Sequence, residues 1–186
     1  MNKTDVTFIT GNAGKAAYLS RYLGVEIAHK KVELDEIQSM NLDDIVEHKV
    51  RQAYDILGSP VLVEDVSLSF KALSGLPGPF VKFFIDYPGL EAMCRMLDGF
   101  DSRAALAEAV FAYYDGNESV LFRGGLNGTV PEHPQGEGGY GWDKIFIPEG
   151  YTMTRAELSE EDDQKTYLKI KPFAELAKFL EEKYEK

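Results

Sequence analysis

A chain of 186 residues, 44% apolar and 27% charged, has the size and composition of an ordinary globular protein with a hydrophobic interior. Its net charge of −11 argues against coating a nucleic-acid polymer, yet a few local cations and a divalent metal could still bind a small anion. No apolar run approaches the roughly 20 residues of a membrane helix, no signal-peptide pattern is visible, and the single Cys94 excludes an internal disulfide and a cysteine-based zinc cluster, so a cytoplasmic protein is expected.

Val6 to Thr10 is short, apolar and β-branched, bounded by Gly11-Asn12, and predicts a buried strand. Ala16 to Leu23 has helical spacing and stops at Gly24, and Val25 to Leu34 is extended. Leu42 to Leu57 returns to helical periodicity through Ile45, Val46, Val50 and Ala53, again closed by a glycine, Gly58. Val61-Leu62-Val63 predicts another buried strand. The alternation of strand and helix argues for an α/β architecture. Ala104 to Tyr114 and Ser119 to Gly124 flank Asp115-Gly116-Asn117, a hairpin signal. Ile145-Phe146-Ile147 is expected as a short strand, and Ala174 to Tyr184 as an amphipathic helix. The expectation is one twisted, mixed sheet with helices around it and a cleft between two lobes.

Three segments could carry chemistry. At Thr10-Gly11-Asn12-Ala13-Gly14-Lys15 a strand ends in a turn that opens a helix, which gathers unpaired backbone N–H groups and the positive helix end at one point. Asn12 can donate an amide hydrogen bond there and Lys15 adds a mobile cation, although the segment is neither a Walker loop nor a dinucleotide fingerprint. In Val61 to Phe84, Glu64 and Asp65 stand where the apolar run ends, a usual place for site residues in α/β folds. Because side chains alternate along a strand, the two carboxylates point apart unless the chain bends. Hard oxygen ligands near phosphate suit Mg²⁺. The turn-rich Gly75-Leu76-Pro77-Gly78-Pro79 then delivers Lys82 to the next helix. In Gly136 to Trp142 the glycines allow backbone to approach a flat ligand, Tyr140 and the only Trp could stack on a base, and Asp143 could accept from a base edge. Against this, a lone Trp beside a strand is usually core.

The remaining candidates are weaker. His29, His48 and His133 have no spacing that suggests a zinc site or catalytic pair. Cys94 is expected to be buried and inert, and Glu160-Glu161-Asp162-Asp163 reads as a solvated face.

Taken together and in order, these segments resemble the inosine triphosphate pyrophosphatase family, enzymes that cleanse nucleotide pools of deaminated purines. The family's T-G-N-x-x-K is matched by Thr10, Gly11, Asn12 and Lys15, and a following acidic segment by Asp35-Glu36-Ile37-Gln38. V-x-V-E-D and G-L-P-G-P are matched by Val61 to Asp65 and Gly75 to Pro79. The aromatic signature is matched by Gly139-Tyr140-Gly141-Trp142-Asp143, with A-E-[ML] following at Ala156-Glu157-Leu158. The resemblance implies a single elongated α/β domain over residues 1–186, a homodimer, and hydrolysis of a nucleoside triphosphate between its α and β phosphates to the monophosphate and pyrophosphate. It further implies Mg²⁺ held by Glu36 and Asp65 with Glu64 beside them, and a catalytic set of Asp65, Glu36 and Lys15. The substrate would be held by Thr10, Gly11, Asn12, Lys15 and Lys82 at the triphosphate, and by Tyr140, Trp142, Asp143 and Lys169 at the base.

One departure stands out. After A-E-[ML] the family carries a Lys-Asn-type pair and then Ser-His-Arg, whose His and Arg help recognise the purine. This chain has Asp163-Gln164 and then Tyr167-Leu168-Lys169. A leucine cannot hydrogen-bond a base, and a lysine lacks the bidentate fork of arginine. The expectation is therefore a pyrophosphatase acting on deaminated purines such as ITP, dITP or XTP. The alternatives are altered base choice or a non-catalytic nucleotide-binding homologue.

Overall fold

In the computed structural model, which describes residues 3–184, β1 (Lys3–Ile9), α1 (Ala13–Leu23), β2 (Glu26–Lys30), α2 (Leu42–Leu57) and β3 (Val61–Phe70) follow one another. Next come β4 (Pro77–Gly78), α3 (Val81–Asp86), α4 (Gly89–Arg95), β5 (Ala104–Tyr114) and β6 (Ser119–Thr129). The chain continues through β7 (Ile147–Pro148), α5 (Glu160–Ile170) and α6 (Phe173–Tyr184). The strands form one sheet in the order β2-β1-β3-β5-β6-β7, with β4 paired to β3. It is mixed: β1 is parallel to β2 and β3, whereas β4 and β7 run antiparallel to their partners.

The chain forms two compact units. The first takes the chain up to Asp65, Val110–Arg123, and the chain from Pro172 onward; the second takes Val66–Ala109 and Gly124–Lys171. In the first unit, Asn41 caps α2 by accepting the Asp43 N–H, and Asp43 and Asp44 place negative charge at the positive helix end. Gly58 ends the helix in the left-handed region at φ 66°, where a side chain would be strained. The stripe Val46, Val50, Ala53 packs on Val61, Val63, Val110 and Ala112 of β3 and β5. A second aromatic group, with Phe8, Phe111 and Phe173 in contact, joins β1 and β5 to α6, and Tyr18 and Tyr22 bring α1 to the same Phe173. The second unit has its own core of Leu68, Phe70, Val81, Met93, Cys94, Leu97, Ala107, Leu126, Phe146 and Ile170. Cys94 is buried there, and burial pushes its thiol up to about 11, as the inert reading requires.

Three expectations change. β3 does not end at Val63 but runs ten residues, so Glu64 and Asp65 lie inside it; partner cations, described below, make this tolerable. Residues 143–145 form a 3-10 turn, and only Ile147 and Pro148 are strand there. The acidic run opens a helix: Ser159 caps α5 by accepting the Asp162 N–H, and four carboxylates fill its first turn.

The hairpin turn is fixed by charge. Asp115 accepts the N–H groups of Asn117 and Glu118, and Lys183 of α6 reaches both Asp115 and Glu118 at 2.7 Å. Partial burial alone would raise the Asp115 carboxyl, but Lys183 and the two backbone N–H groups overcome it and hold it well below its usual 3.8. A depressed folded value adds stability above about pH 4 that is lost as pH falls through the folded value. Asp115→Asn should therefore cost less than about 1 kcal/mol at pH 7, with the gap to the parent closing toward pH 2, as read by thermal melts across that range. Gly124 marks a tighter constraint, since a Cβ there would drive into the Ile170 carbonyl at the end of α5. Gly124→Ala should lower stability by about 1–3 kcal/mol in urea unfolding.

Candidate active site

The first unit builds a site around β3. Residues Val61 and Val63 face α2, so by strand alternation Asp65 points the same way and Glu64 the opposite way. The side chains obey this. Asp65 meets Lys49 of α2, with Nζ donating to Oδ2 at 2.7 Å, while Glu64 meets Lys15 of α1, with Nζ donating to Oε2 at 3.3 Å. Lys49 also reaches Glu36 Oε1 at 3.3 Å, so one ammonium lies against two carboxylates. Burial alone would lower the Lys49 ammonium, but Asp65 and then Glu36 outweigh it and raise it.

Glu36 lies on the connection between β2 and α2, and that connection is clamped to the helix. Gln52 accepts the Asp35 N–H at 2.7 Å and donates to the Asp35 carboxylate at 3.0 Å. Lys49 and Gln52 are three residues apart and share a helix face, while Val46, Val50 and Ala53 face the core. Sequence reading missed both Lys49 and Gln52. Their signal was weak: two polar, half-buried residues on the polar side of an amphipathic helix, with partners 16 and 17 residues away.

The turn before α1 is built as predicted. The Thr10 N–H bonds the Lys30 carbonyl, the Asn12 N–H bonds Thr10 Oγ1, and Asn12 Oδ1 caps the helix by accepting the Lys15 N–H at 3.1 Å. Asn12 thus shapes the turn as a cap, and its carbonyl oxygen is committed to the backbone. Gly11 leaves room for the stem of Lys31, whose Cδ would lie 3.2 Å from a Cβ at residue 11. Thr10, Gly11, Asn12, Lys15, Glu36, Glu64 and Asp65 therefore belong to one unit, in which Lys49 joins Glu36 to Asp65 and Lys15 meets Glu64.

Lys82, Tyr140, Trp142, Asp143 and Lys169 belong to the other unit. Lys82 is exposed on α3 and Lys169 is exposed on α5. Tyr140 projects into solvent. Trp142 instead packs against the core of this unit, and among the described residues its buried Nε1 has no hydrogen-bond partner. Asp143 is held at both oxygens: Oδ2 accepts the Tyr140 N–H and Oδ1 accepts from Arg155, each at 2.8 Å. Gly139 sits at φ 77° directly against Asp143 Cβ, so the loop needs glycine twice over. Burial pushes the Asp143 carboxyl up, opposed by Arg155. Of the acidic run, Asp163 is not merely solvated, because it accepts from the buried Arg155 at 2.6 Å. Lys165 pairs with Glu161 and Asp162 on its own helix.

These features match known proteins along nearly the whole chain. The model of the Ham1 family matches residues 6–179. The chain belongs to the Ham1 family. A relative from Yarrowia lipolytica named inosine triphosphate pyrophosphatase is 41% identical, covering 97% of this chain and 98% of its own. One from Methanopyrus kandleri named dITP/XTP pyrophosphatase is 37% identical over 94% of this chain and 95% of its own. A crystal structure titled nucleoside-triphosphatase/dITP/XTP pyrophosphatase from Mycobacterium abscessus aligns with a TM-score of 0.80 at 25% identity, over 94% of this chain and 98% of that one. A HAM1 protein from Coxiella burnetii shares the fold at a TM-score of 0.85 and 22% identity, covering 98% and 100%.

The carboxylates suit a hard divalent cation in one way. Among the described residues no group of three or more His, Cys, Asp or Glu is placed to hold a metal by itself. Glu36 and Asp65, however, already converge on one positive charge, and a pair of carboxylates completed by water and phosphate oxygens is a common arrangement for Mg²⁺. Lys49→Ala removes the competing cation and leaves both carboxylates without it. Added Mg²⁺ should then raise the melting temperature of the variant more than that of the parent, and an equal rise in both would show that the pair does not bind the ion.

Proposed function

We propose that the chain is a nucleoside-triphosphate pyrophosphatase that hydrolyses the α–β phosphoanhydride bond of deaminated purine nucleotides such as ITP, dITP and XTP, giving the monophosphate and pyrophosphate. The observation that carries this reading is the convergence of Glu36 and Asp65 on Lys49, in the same unit as the Asn12-capped turn and the Lys15–Glu64 pair. The names of the relatives point to the same chemistry. Glu36 and Asp65 would hold Mg²⁺, with Glu64 steered by Lys15. When bound, the ion supplies charge neutralisation at phosphate and a water of lowered pKa.

The chain's own residues do the rest. Lys15 and Lys49 are ammonium groups that can turn from carboxylate to phosphate, so a triphosphate would replace their present partners and leave Glu64 and Asp65 to other duties. The turn at Thr10 to Asn12 opens α1 and so presents the positive end of that helix. Lys82 would add a further cation. Tyr140 offers an exposed ring for stacking, and Asp143 a fixed acceptor. Trp142 would shape the loop from the core side and Lys169 would lie on the base side. We further propose a cytoplasmic homodimer with no affinity for nucleic-acid polymers; no described helix is long and apolar enough to cross a membrane.

A second reading, altered base choice, is favoured by Leu168 and by the pairing of Asp163 with Arg155. Pyrophosphate release from ITP, dITP, XTP and the ordinary triphosphates with Mg²⁺ decides between the readings, and no turnover on any of them by folded protein removes both. Asp65→Asn should lower kcat by at least about 100-fold while leaving the melting temperature close to that of the parent. Full activity in that variant would place the metal elsewhere.

A further inference from the structure

Arg155 is the feature of the second unit that the proposed reaction leaves unused. Its side chain is only 7% exposed, and an arginine is seldom buried so deeply unless it is paired. Three of its nitrogens are spent: Nε donates to Thr166 Oγ1 at 3.1 Å, Nη1 to Asp143 at 2.8 Å, and Nη2 to Asp163 at 2.6 Å. Its guanidinium carbon also lies 5.7 Å from the centre of the Tyr167 ring, which Lys171 approaches at 5.6 Å. A buried ionic cluster of this kind is poor value as stabilisation, because apolar residues of similar volume often do as well. What it provides is fixed geometry, and the side chain it fixes is Asp143.

We propose that Arg155 is a positioning residue for base selection, which holds Asp143 as an oriented, ionised acceptor for an N–H on the edge of the purine. This rests on the reading above that Asp143 meets the base. The Tyr140 N–H holds one oxygen and Arg155 the other, so the carboxylate cannot rotate, and each oxygen keeps one further lone pair to offer. Ionisation matters as much as orientation. A protonated Asp143 would present an O–H donor and would repel the ring N–H of a 6-oxopurine instead of accepting it. Burial favours that wrong form and Arg155 opposes it. The acidic residue at 163 serves the same arrangement. Here the cation comes from Arg155, and Asp163 anchors it by a charge-assisted bond.

The test uses the full chain carrying Arg155→Met, Arg155→Lys, Asp143→Asn, and the double change Arg155→Met with Asp143→Asn. Each is measured by steady-state kinetics on ITP and XTP and by calorimetric binding of ITP and of inorganic pyrophosphate, which has no base. Arg155→Met should raise KM and Kd for ITP about tenfold, leave kcat within about threefold, and leave pyrophosphate binding unchanged. Arg155→Lys should recover part of the loss, since charge returns without the fork. In the Asp143→Asn background the arginine change should add nothing further. Unchanged KM for both nucleotides in Arg155→Met would overturn the proposal, as would equal weakening of pyrophosphate or simple additivity in the double variant. If Arg155→Met does not fold, Arg155→Lys decides alone, and parental KM values there would overturn it. Should the parent bind ITP without hydrolysing it, the reaction proposed above fails while the calorimetric comparison still decides the role of Arg155.

Discussion

Two adjacent carboxylates inside a ten-residue strand impose the constraint on which the first unit depends. Neighbouring strand residues point to opposite sides, so Glu64 and Asp65 cannot share a counter-ion, and each needs its own. Lys15 comes from the helix after β1 and Lys49 from the helix before β3, which ties α1 and α2 to the same two strand positions. The capped turn at Asn12 and the Gln52–Asp35 clamp then become explicable as the parts that hold those lysines and Glu36 in reach. In the proposed reaction the same ion pairs are exchangeable. A bound phosphate would compete for the two lysines.

The second unit solves a different problem by similar means. A glycine-rich loop has little stiffness of its own, and here it is stiffened by bonds to Asp143 and by a capping box in which Thr154 and Glu157 satisfy each other while Thr154 also holds the Gln135 carbonyl. Arg155 lies within that box and reaches from the loop to α5. The loop can thus expose Tyr140 and keep Asp143 fixed at once.

How much of this the sequence disclosed depended on whether the cause was local. α2 was legible to the residue because its period and its closing glycine are encoded within the seventeen positions from Leu42 to Gly58. The hairpin was legible because Asp115-Gly116-Asn117 carries its own turn chemistry. β3 was read too short, since Glu64-Asp65 interrupts an apolar run and the lysines that make them tolerable lie 49 and 16 residues away. α5 was read as a solvated face because its acidic first turn hides the cap at Ser159, and because the bond from Asp163 to Arg155 is a tertiary fact. Tyr140, Trp142 and Asp143 were grouped correctly as one loop, but nothing in their order told that Trp142 packs inward while Tyr140 points out.

Most of the candidate residues of each unit fall within one stretch of the chain. Thr10 to Lys15, Glu36, Lys49, Glu64 and Asp65 all fall within the stretch that ends at Asp65, and the further cation Lys82 falls in Val66–Ala109. Tyr140, Trp142, Asp143, Arg155, Asp163 and Lys169 all fall within the single stretch Gly124–Lys171. On the proposed function, a lineage could therefore exchange Tyr140 to Lys169 as one cassette, by recombination at two crossover points, while the residues up to Asp65 stay untouched. Under that reading, preference for a new nucleotide is a change this architecture can make without rebuilding its chemistry.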